Sequence, residues 1–449
     1  MKKTLMCTAI ITGLPMLMAM ADVQAADSAL IELLKVLHED GTLSDIKYKA
    51  IVQLVEEEKA AKAIEKAPAQ MSVETAQVKI ATKGKLEIAS PDDEFKMRIG
   101  GRIMVDGAVY DDDIAALGSG SEMRRARLFA QGSLWKVWNY KLQYDFTGTG
   151  KAGINDAYIQ YSGLPSSSIK VGNFKEPYSL QNMTSSKYMT FMERGLPHLL
   201  TPGRSIGLGY GATGSNWTIN VGLFAQGIDT TAGENDQSYA LTGRVTYVPI
   251  FVKNQQALHF GAGYSYRNLD DKQTLRFRER PESHITNVRL IDTGNFDADS
   301  LQRFNVEALW MQGPFAVQGE YSRVDVDRVI AGNSDVGFEG YYIEGSWFLT
   351  GESINYNPKK GALGKIAPKG ILGKGGVGAW QIATRFSRLN LTDQDINGGE
   401  EDNIAIGLNW YPNSNLKFMA NYVRVLDVDG GPNAGDEPSV FSLRAQVEF

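Results

Sequence analysis

Between Phe95 and Tyr110 apolar and polar positions alternate with a period of two. One parity carries Phe95, Met97, Ile99, Ile103, Val105 and Val109; the other carries Lys96, Arg98, Arg102 and Asp106, so every charge falls on one face. A strand this long exceeds the roughly 5–6 residues usual in soluble sheets. It matches the roughly 9–11 residues that a tilted strand needs to cross a bilayer. The alternation returns to the C-terminus, as in Trp217 to Ala225, Leu258 to Tyr266 and Phe441 to Phe449. It predicts about sixteen strands, over 95–110, 122–134, 138–147, 154–162, 167–174, 204–213, 216–227, 238–251, 256–268, 300–312, 314–326, 337–350, 377–391, 402–412, 415–427 and 438–449. Short connections such as Gly163-Leu164-Pro165, Gly214-Ser215 and Gly313-Pro314 alternate with long ones. The expected fold is all-β, a 16-stranded antiparallel transmembrane β-barrel with short periplasmic turns and long outer loops. Tyr110, Trp135, Trp138, Tyr161, Trp410 and Tyr411 are expected in interfacial girdles. The connection Gly351 to Gly376 breaks the alternation of lengths, and the pattern supplies no reason for it.

Before Phe95 the period is different. Residues 1–25 read as a signal peptide: Lys2 and Lys3, then an apolar run from Leu5 to Met20, then Val23-Gln24-Ala25. Residues 26–94 read as a periplasmic helical segment and lead-in. Leu30, Leu33, Leu34 and Leu37 have helical spacing, and a second helix is expected from about Asp45 to Ala67, ended by Pro68. Its narrow stripe of Ile46, Ile51, Leu54, Val55 and Ile64 suits a coiled coil, with a solvated spacer as the alternative. Residues 95–449 form the barrel.

Composition narrows the function. With 43% hydrophobic and 22% charged residues the chain is not disordered. A mean hydropathy of −0.24 with no long apolar run in the mature chain excludes a helical membrane protein. The net charge of −6 argues against a nucleic-acid partner. Removing residues 1–25 takes away Lys2, Lys3 and Asp22, which leaves −7. The one cysteine, Cys7, lies in the signal segment, so thiol chemistry and disulfides are excluded from the mature chain. Only His38, His198, His259 and His284 are available as general bases, and none sits in a recognisable triad, so no enzyme activity is expected. No cofactor and no metal is expected.

The charges sort by location. Acids crowd the expected outer loops: Asp111 to Asp113, Asp270-Asp271, Glu400 to Asp402, Asp436-Glu437. Bases take the lumen parity of strands, among them Arg98, Arg102, Arg125, Arg127, Lys141, Lys170, Arg244, Arg385 and Arg444. About half are expected as ion-pair braces, with Asp106, Asp145, Asp156, Glu307, Glu320 or Glu344 as partners. Arg124, Arg125 and Arg127 open the second strand. Arg276, Arg278 and Arg280, in the long loop 269–299, would project to one side at about 6.5–7 Å spacing if extended. Such forked donors suit phosphate or carboxylate. The loop 175–203 is apolar and aromatic rather than acidic. It is expected to fold into the bore and narrow it, with Lys175, Ser185, Ser186, Lys187 and Arg194 as donors at the constriction. The reading is an anion-selective outer-membrane channel of a Gram-negative cell, bathed by outer-membrane lipid. The alternative is a general porin, or one selective for another solute, that anchors the envelope through its N-terminal helices.

Several segments carry a family resemblance. Ile99-Gly100-Gly101-Arg102, Arg124-Arg125-Ala126-Arg127-Leu128, Tyr140 to Asp145, Val171 to Phe174, Thr184 to Lys187 with Glu193-Arg194, Gly378-Ala379-Trp380, and Gly407 to Tyr411 together resemble the phosphate-selective porins O and P. The resemblance covers roughly Lys79 to Phe449. It implies a homotrimer of sixteen-stranded barrels, each with an arginine ladder leading to a constriction, and phosphate or polyphosphate as the permeating anion. By resemblance Arg102, Arg124, Arg125, Arg194, Arg276, Arg278 and Arg280 match the family's basic residues, and Ser185 and Ser186 its constriction serines. Three positions depart from the family pattern. Asn182 stands where a lysine is expected, Arg127 where an aromatic is expected, and Lys175 where a tyrosine or similar residue is expected. Charge has moved within the constriction, which bears on the choice among anions.

Overall fold

A computed structural model describes residues 32–65, 78–82, 85–148, 153–228, 237–329 and 334–449. The signal-peptide segment lies outside the described residues. The chain divides into two units, 1–76 and 77–449. In the first, helices span 32–39 and Asp45–Glu65. His38 joins them by stacking on Tyr48 at 4.5 Å between ring centroids and bonding Asp45.

In the second unit sixteen antiparallel strands close into a barrel. The first strand is Lys96–Asp111 and the last Ser439–Glu448. They pair in register from Arg102↔Glu448 to Asp111↔Ser439, which closes the sheet. A short lead-in strand, Leu86–Ala89, then takes the first strand's free edge from Ile99 to Lys96, just where the last strand stops. Every backbone group of a spanning strand must be paired in lipid, and closure does this without an edge. Alternation sorts the side chains. Trp217 and Ile219 are 40% and 44% exposed on the outer wall, while Thr218 between them is fully buried inside.

The strands are unequal. Those flanking Ser167–Lys175 run to about ten residues, whereas Gln256–Leu275 and Ile396–Asn413 reach 20 and 18. The expected long loop at 269–299 therefore contracts to 276–295. The acids Glu400, Glu401 and Asp402 belong to a strand rather than to a loop. Glu400 and Asp402 face outward and pair with Arg388, and Glu401 is fully buried. Tyr110 and Tyr411 also differ from expectation. Both turn inward, Tyr110 bonding Ser283 at 2.6 Å and Tyr411 bonding Gln381 at 3.0 Å. A polar partner inside outweighs the interfacial preference of their rings. The periplasmic girdle is carried instead by the stacked series Trp380–Trp410–Phe418, at 5.5 Å steps.

Candidate functional site

Two segments occupy the bore. One is 176–203, the outer loop after Ser167–Lys175. It holds a short helix, Leu180–Met183, capped by Ser179. Two carboxylates face the start of this helix. Glu307 accepts from the Leu180 N–H at 2.5 Å and Glu320 from the Gln181 N–H at 2.5 Å. Two cations face its end. Arg194 donates to the carbonyls of Gln181 and Thr184 at 2.9 and 3.1 Å, and Lys175 to those of Asn182 and Thr184. This polarity complements the helix dipole. Farther along, the loop crosses to the opposite wall, where Asn409 and Lys417 donate to the carbonyls of Thr190 and Met189 at 2.8 and 2.7 Å.

The second segment is the long connection after Val336–Phe348, which had no explanation from its sequence. It rises into the bore from the periplasmic side. Tyr356 bonds His259 at 2.7 Å, the Gly361 carbonyl accepts from Arg244 at 2.7 Å, and the Leu363 N–H donates to Thr184 of the first segment at 3.2 Å. Its length and apolar content (Tyr356, Ala362, Leu363 and Ile366 are buried) follow from packing against the loop rather than against water.

At the junction Arg102, 6% exposed, donates to Ser186 at 2.7 Å, Ser185 at 3.3 Å and Gln143 at 3.4 Å. It forms no ion pair among the described residues. Arg124 and Arg125 are consecutive, yet both reach Glu193 in the bore. A strict period of two forbids that. A β-bulge resolves it: Met104 pairs with Arg125 and Val105 with Met123, so Arg124 is the extra residue. Arg124 grips Glu193 with two bonds of 2.8 and 2.9 Å, Arg444 adds one at 2.8 Å, and Arg125 lies at 3.9 Å. Burial works against the Glu193 carboxylate, but the three guanidiniums outweigh it and hold it well below the ordinary glutamate range. Arg127 is tied to Asp145 at 2.6 Å and Lys187 to Glu448. Burial draws Arg194 down to about 10, so it stays charged at neutral pH.

The charged side chains thus fall into two groups. Carboxylates neutralise Arg127, Lys187, Arg244 and Arg385. Arg102, Lys175 and Arg194 are positioned by hydroxyls and carbonyls, and none of the three forms an ion pair among the described residues. The departure at Asn182 has a structural reason. Its side-chain amide, buried, donates to the carbonyls of Glu176 and Pro202 at 3.3 and 3.2 Å and ties the two ends of the loop together.

In the outer mouth Arg276, Arg278 and Arg280 are near one another in sequence but not equivalent. Arg276 is clamped by Asp292 at 2.7 and 2.5 Å. Arg278 is exposed and pairs with Asp292 across a short two-stranded ladder, but its side chain has no hydrogen bond or ion pair among the described residues. Among the described residues the Arg280 side chain has one hydrogen bond, to the Asn287 amide oxygen at 3.2 Å. Toward the periplasm, Lys170 rests on the rings of Tyr158 and Phe174, 4.7 and 5.0 Å from their centroids, with no ion pair among the described residues. The sequence did not single out Arg204. It pairs across the sheet with Lys175 and shares Asp156 with Lys141, at 2.9 and 2.5 Å. Its signal was available, as a base opening a strand directly after the constriction loop.

A family model described as phosphate-selective porin O and P matches residues 97–449. An uncharacterized protein of Caulobacter vibrioides is 31% identical over 396 residues, covering 84% of this chain and 78% of its own. Porin O of Pseudomonas aeruginosa is 26% identical over 422 residues, covering 84% and 94%. Among solved structures, an anion-selective porin from Comamonas acidovorans superposes with a TM-score of 0.51 at 14% identity, over 79% of this chain and 100% of that one. A loop-deletion variant of OmpT, an outer-membrane protein of Vibrio cholerae, gives 0.53 at 11% identity, over 80% and 100%.

Proposed function

Because the chain belongs to the phosphate-selective porin O and P family, and so is a porin of the Gram-negative outer membrane rather than an enzyme, we propose that it conducts anions, phosphate first, past a constriction built by Arg102, Lys175, Arg194, Ser185 and Ser186. One observation carries the reading. The cations there are positioned by neutral oxygen atoms, so their charge is left for the permeating ion. An anion entering a narrow pore loses water, and each lost contact must be replaced by a donor. Arg102 with its two serines supplies forked N–H groups and hydroxyls side by side, a set that fits the oxygens of phosphate. Release requires that no one site be deep. Arg278 and Arg280 outside and Lys170 inside supply further positive positions, and Glu193 moderates the cluster of Arg124, Arg125 and Arg444. Linear polyphosphate, with a charge on each unit, would span several of these positions. Assembly as a homotrimer belongs to the same proposal.

The test is single-channel recording in a potassium chloride gradient, followed by addition of millimolar phosphate. The expected results are a reversal potential set by chloride and a phosphate block that weakens in Arg102→Ala. A cation-selective current overturns the anion reading. Absence of block overturns phosphate preference alone. Block by diphosphate at lower concentration than by phosphate extends the reading to polyphosphate.

A further inference from the structure

The outer wall carries a feature that conduction does not use. On the lipid-facing parity of the ninth to twelfth strands, Gln256–Leu275, Phe296–Gln312, Phe315–Arg328 and Val336–Phe348, one cross-strand row reads Phe260, Ala308, Gly319, Ile343. The row nearer the periplasm reads Leu258, Trp310, Val317, Gly345, and the row farther from it reads Ala262, Val306, Tyr321, Tyr341. Ala308 and Gly319 are small and sit side by side, whereas their neighbours are large. The wall is indented there by a trough of about 540 Å³ that reaches the backbone. Its rims are well exposed: Phe260 is 46%, Trp310 45% and Ile343 56% accessible.

The periplasmic end of this trough is polar. Gln256 and Gln312 face each other on the same outer parity. Neither side chain has a hydrogen bond among the described residues. The turn beside them presents Lys253, exposed and without an ion pair among the described residues. The Phe260 row lies four positions along the strand from the glutamine pair, about 13 Å away.

We propose that this trough is a binding site for one anionic phospholipid of the phosphatidylglycerol class. An acyl chain lies between Phe260, Trp310, Tyr321 and Ile343, and the headgroup phosphate meets Lys253 and the two carboxamides. The trough is shallow but gives the chain more dispersion contact than a smooth barrel wall does. Free donors in an interface that already faces lipid complement a phosphate, and a juxtamembrane lysine attracts anionic headgroups. The trough lies in the periplasmic half of the wall, which is the phospholipid half of a Gram-negative outer membrane. The proposal does not depend on which ion the bore conducts.

The experiment is native mass spectrometry of the full-length protein extracted in a mild detergent and titrated with phosphatidylglycerol or phosphatidylethanolamine. The expected result is one retained phosphatidylglycerol per chain. Ala308→Phe, which fills the trough, lowers its occupancy by about ten-fold or more with chloride conductance unchanged. Ala420→Phe, on the outer parity of another strand, leaves occupancy as it was. Lys253→Gln removes the preference for phosphatidylglycerol over phosphatidylethanolamine. Equal occupancy in wild type and Ala308→Phe overturns the proposal, as does absence of any retained phospholipid. Quantitative disulfide formation between copies of Ala308→Cys also overturns it, by giving the trough to a second copy of the chain.

Discussion

Glu193 sets how much positive charge the bore keeps. Arg124, Arg125 and Arg444 surround it, so one carboxylate offsets part of three guanidiniums. Glu193→Gln keeps one acceptor oxygen for Arg124 while removing the charge. Anion-to-cation permeability is expected to rise about two-fold or more at low salt, where an exposed field is least screened, and to converge with wild type near molar salt. Reversal potentials at several ionic strengths read both. Glu279 is the second control. Burial raises its carboxyl to about 7, even though the Arg280 N–H and the nearby Arg289 and Arg280 side chains pull it down. It is neutral below that pH and charged above it. As pH rises from 6 to 8, a negative charge appears beside Arg280 in the outer mouth, so anion selectivity should fall. Glu279→Gln should hold the low-pH selectivity across the range. A pH profile shared by both proteins would assign the titration to another group.

At the level of elements, the connection 349–378 forms the inner side of the constriction. Replacing 354–367 with a short glycine-serine turn removes Tyr356, Leu363 and Lys365 together with their contacts to His259, Thr184 and Glu448. The barrel wall loses no strand pairing by this. Conductance should increase about two-fold or more, because removing one of the two inward segments widens a bore that sixteen strands would otherwise leave open. Phosphate block should weaken in the same records. The alternation of side chains made the sixteen strands legible, since it is enforced by lipid on one side and water on the other. It also placed Arg102, Arg127 and Arg444 on the inner face. It failed in two kinds of place. A bulge at Arg124 shifts parity locally and leaves no period-two signature. Tyr110 and Tyr411 lie on the inner parity, so it was their expected girdle role, not the alternation, that gave way, and their partners Ser283 and Gln381 come from segments distant in sequence. The pairing of each cation with carboxylate or carbonyl depends on where the loop 176–203 lands, and no local pattern encodes that.

For the molecule as a whole, the junction of first and last strands decides whether the sheet is a barrel or an open ribbon. Gly101 lies at this point. Its N–H donates to the Phe449 carbonyl at 3.0 Å and its carbonyl accepts from the Phe449 N–H at 3.2 Å. The last strand ends here, and the lead-in strand Leu86–Ala89 takes over two residues away, at Ile99. A Cβ on Gly101 would lie 2.5 Å from the Arg127 carbonyl oxygen and 2.7 Å from the Phe449 ring. Backbone on one side and a terminal aromatic on the other leave no simple relief. Gly101→Leu should destabilise the barrel by about 1–3 kcal/mol, the usual range for overpacking a filled site. In the same strand Gly107 has only the Gly120 carbonyl near it, at 3.9 Å. Gly107→Ala therefore serves as the control and should fold as wild type does. Urea unfolding in lipid vesicles, read by tryptophan fluorescence, measures both. A lower midpoint for Gly101→Leu alone places the weak point of closure at this junction, whereas equal midpoints would mean that the terminal phenylalanine contributes little to holding the barrel shut.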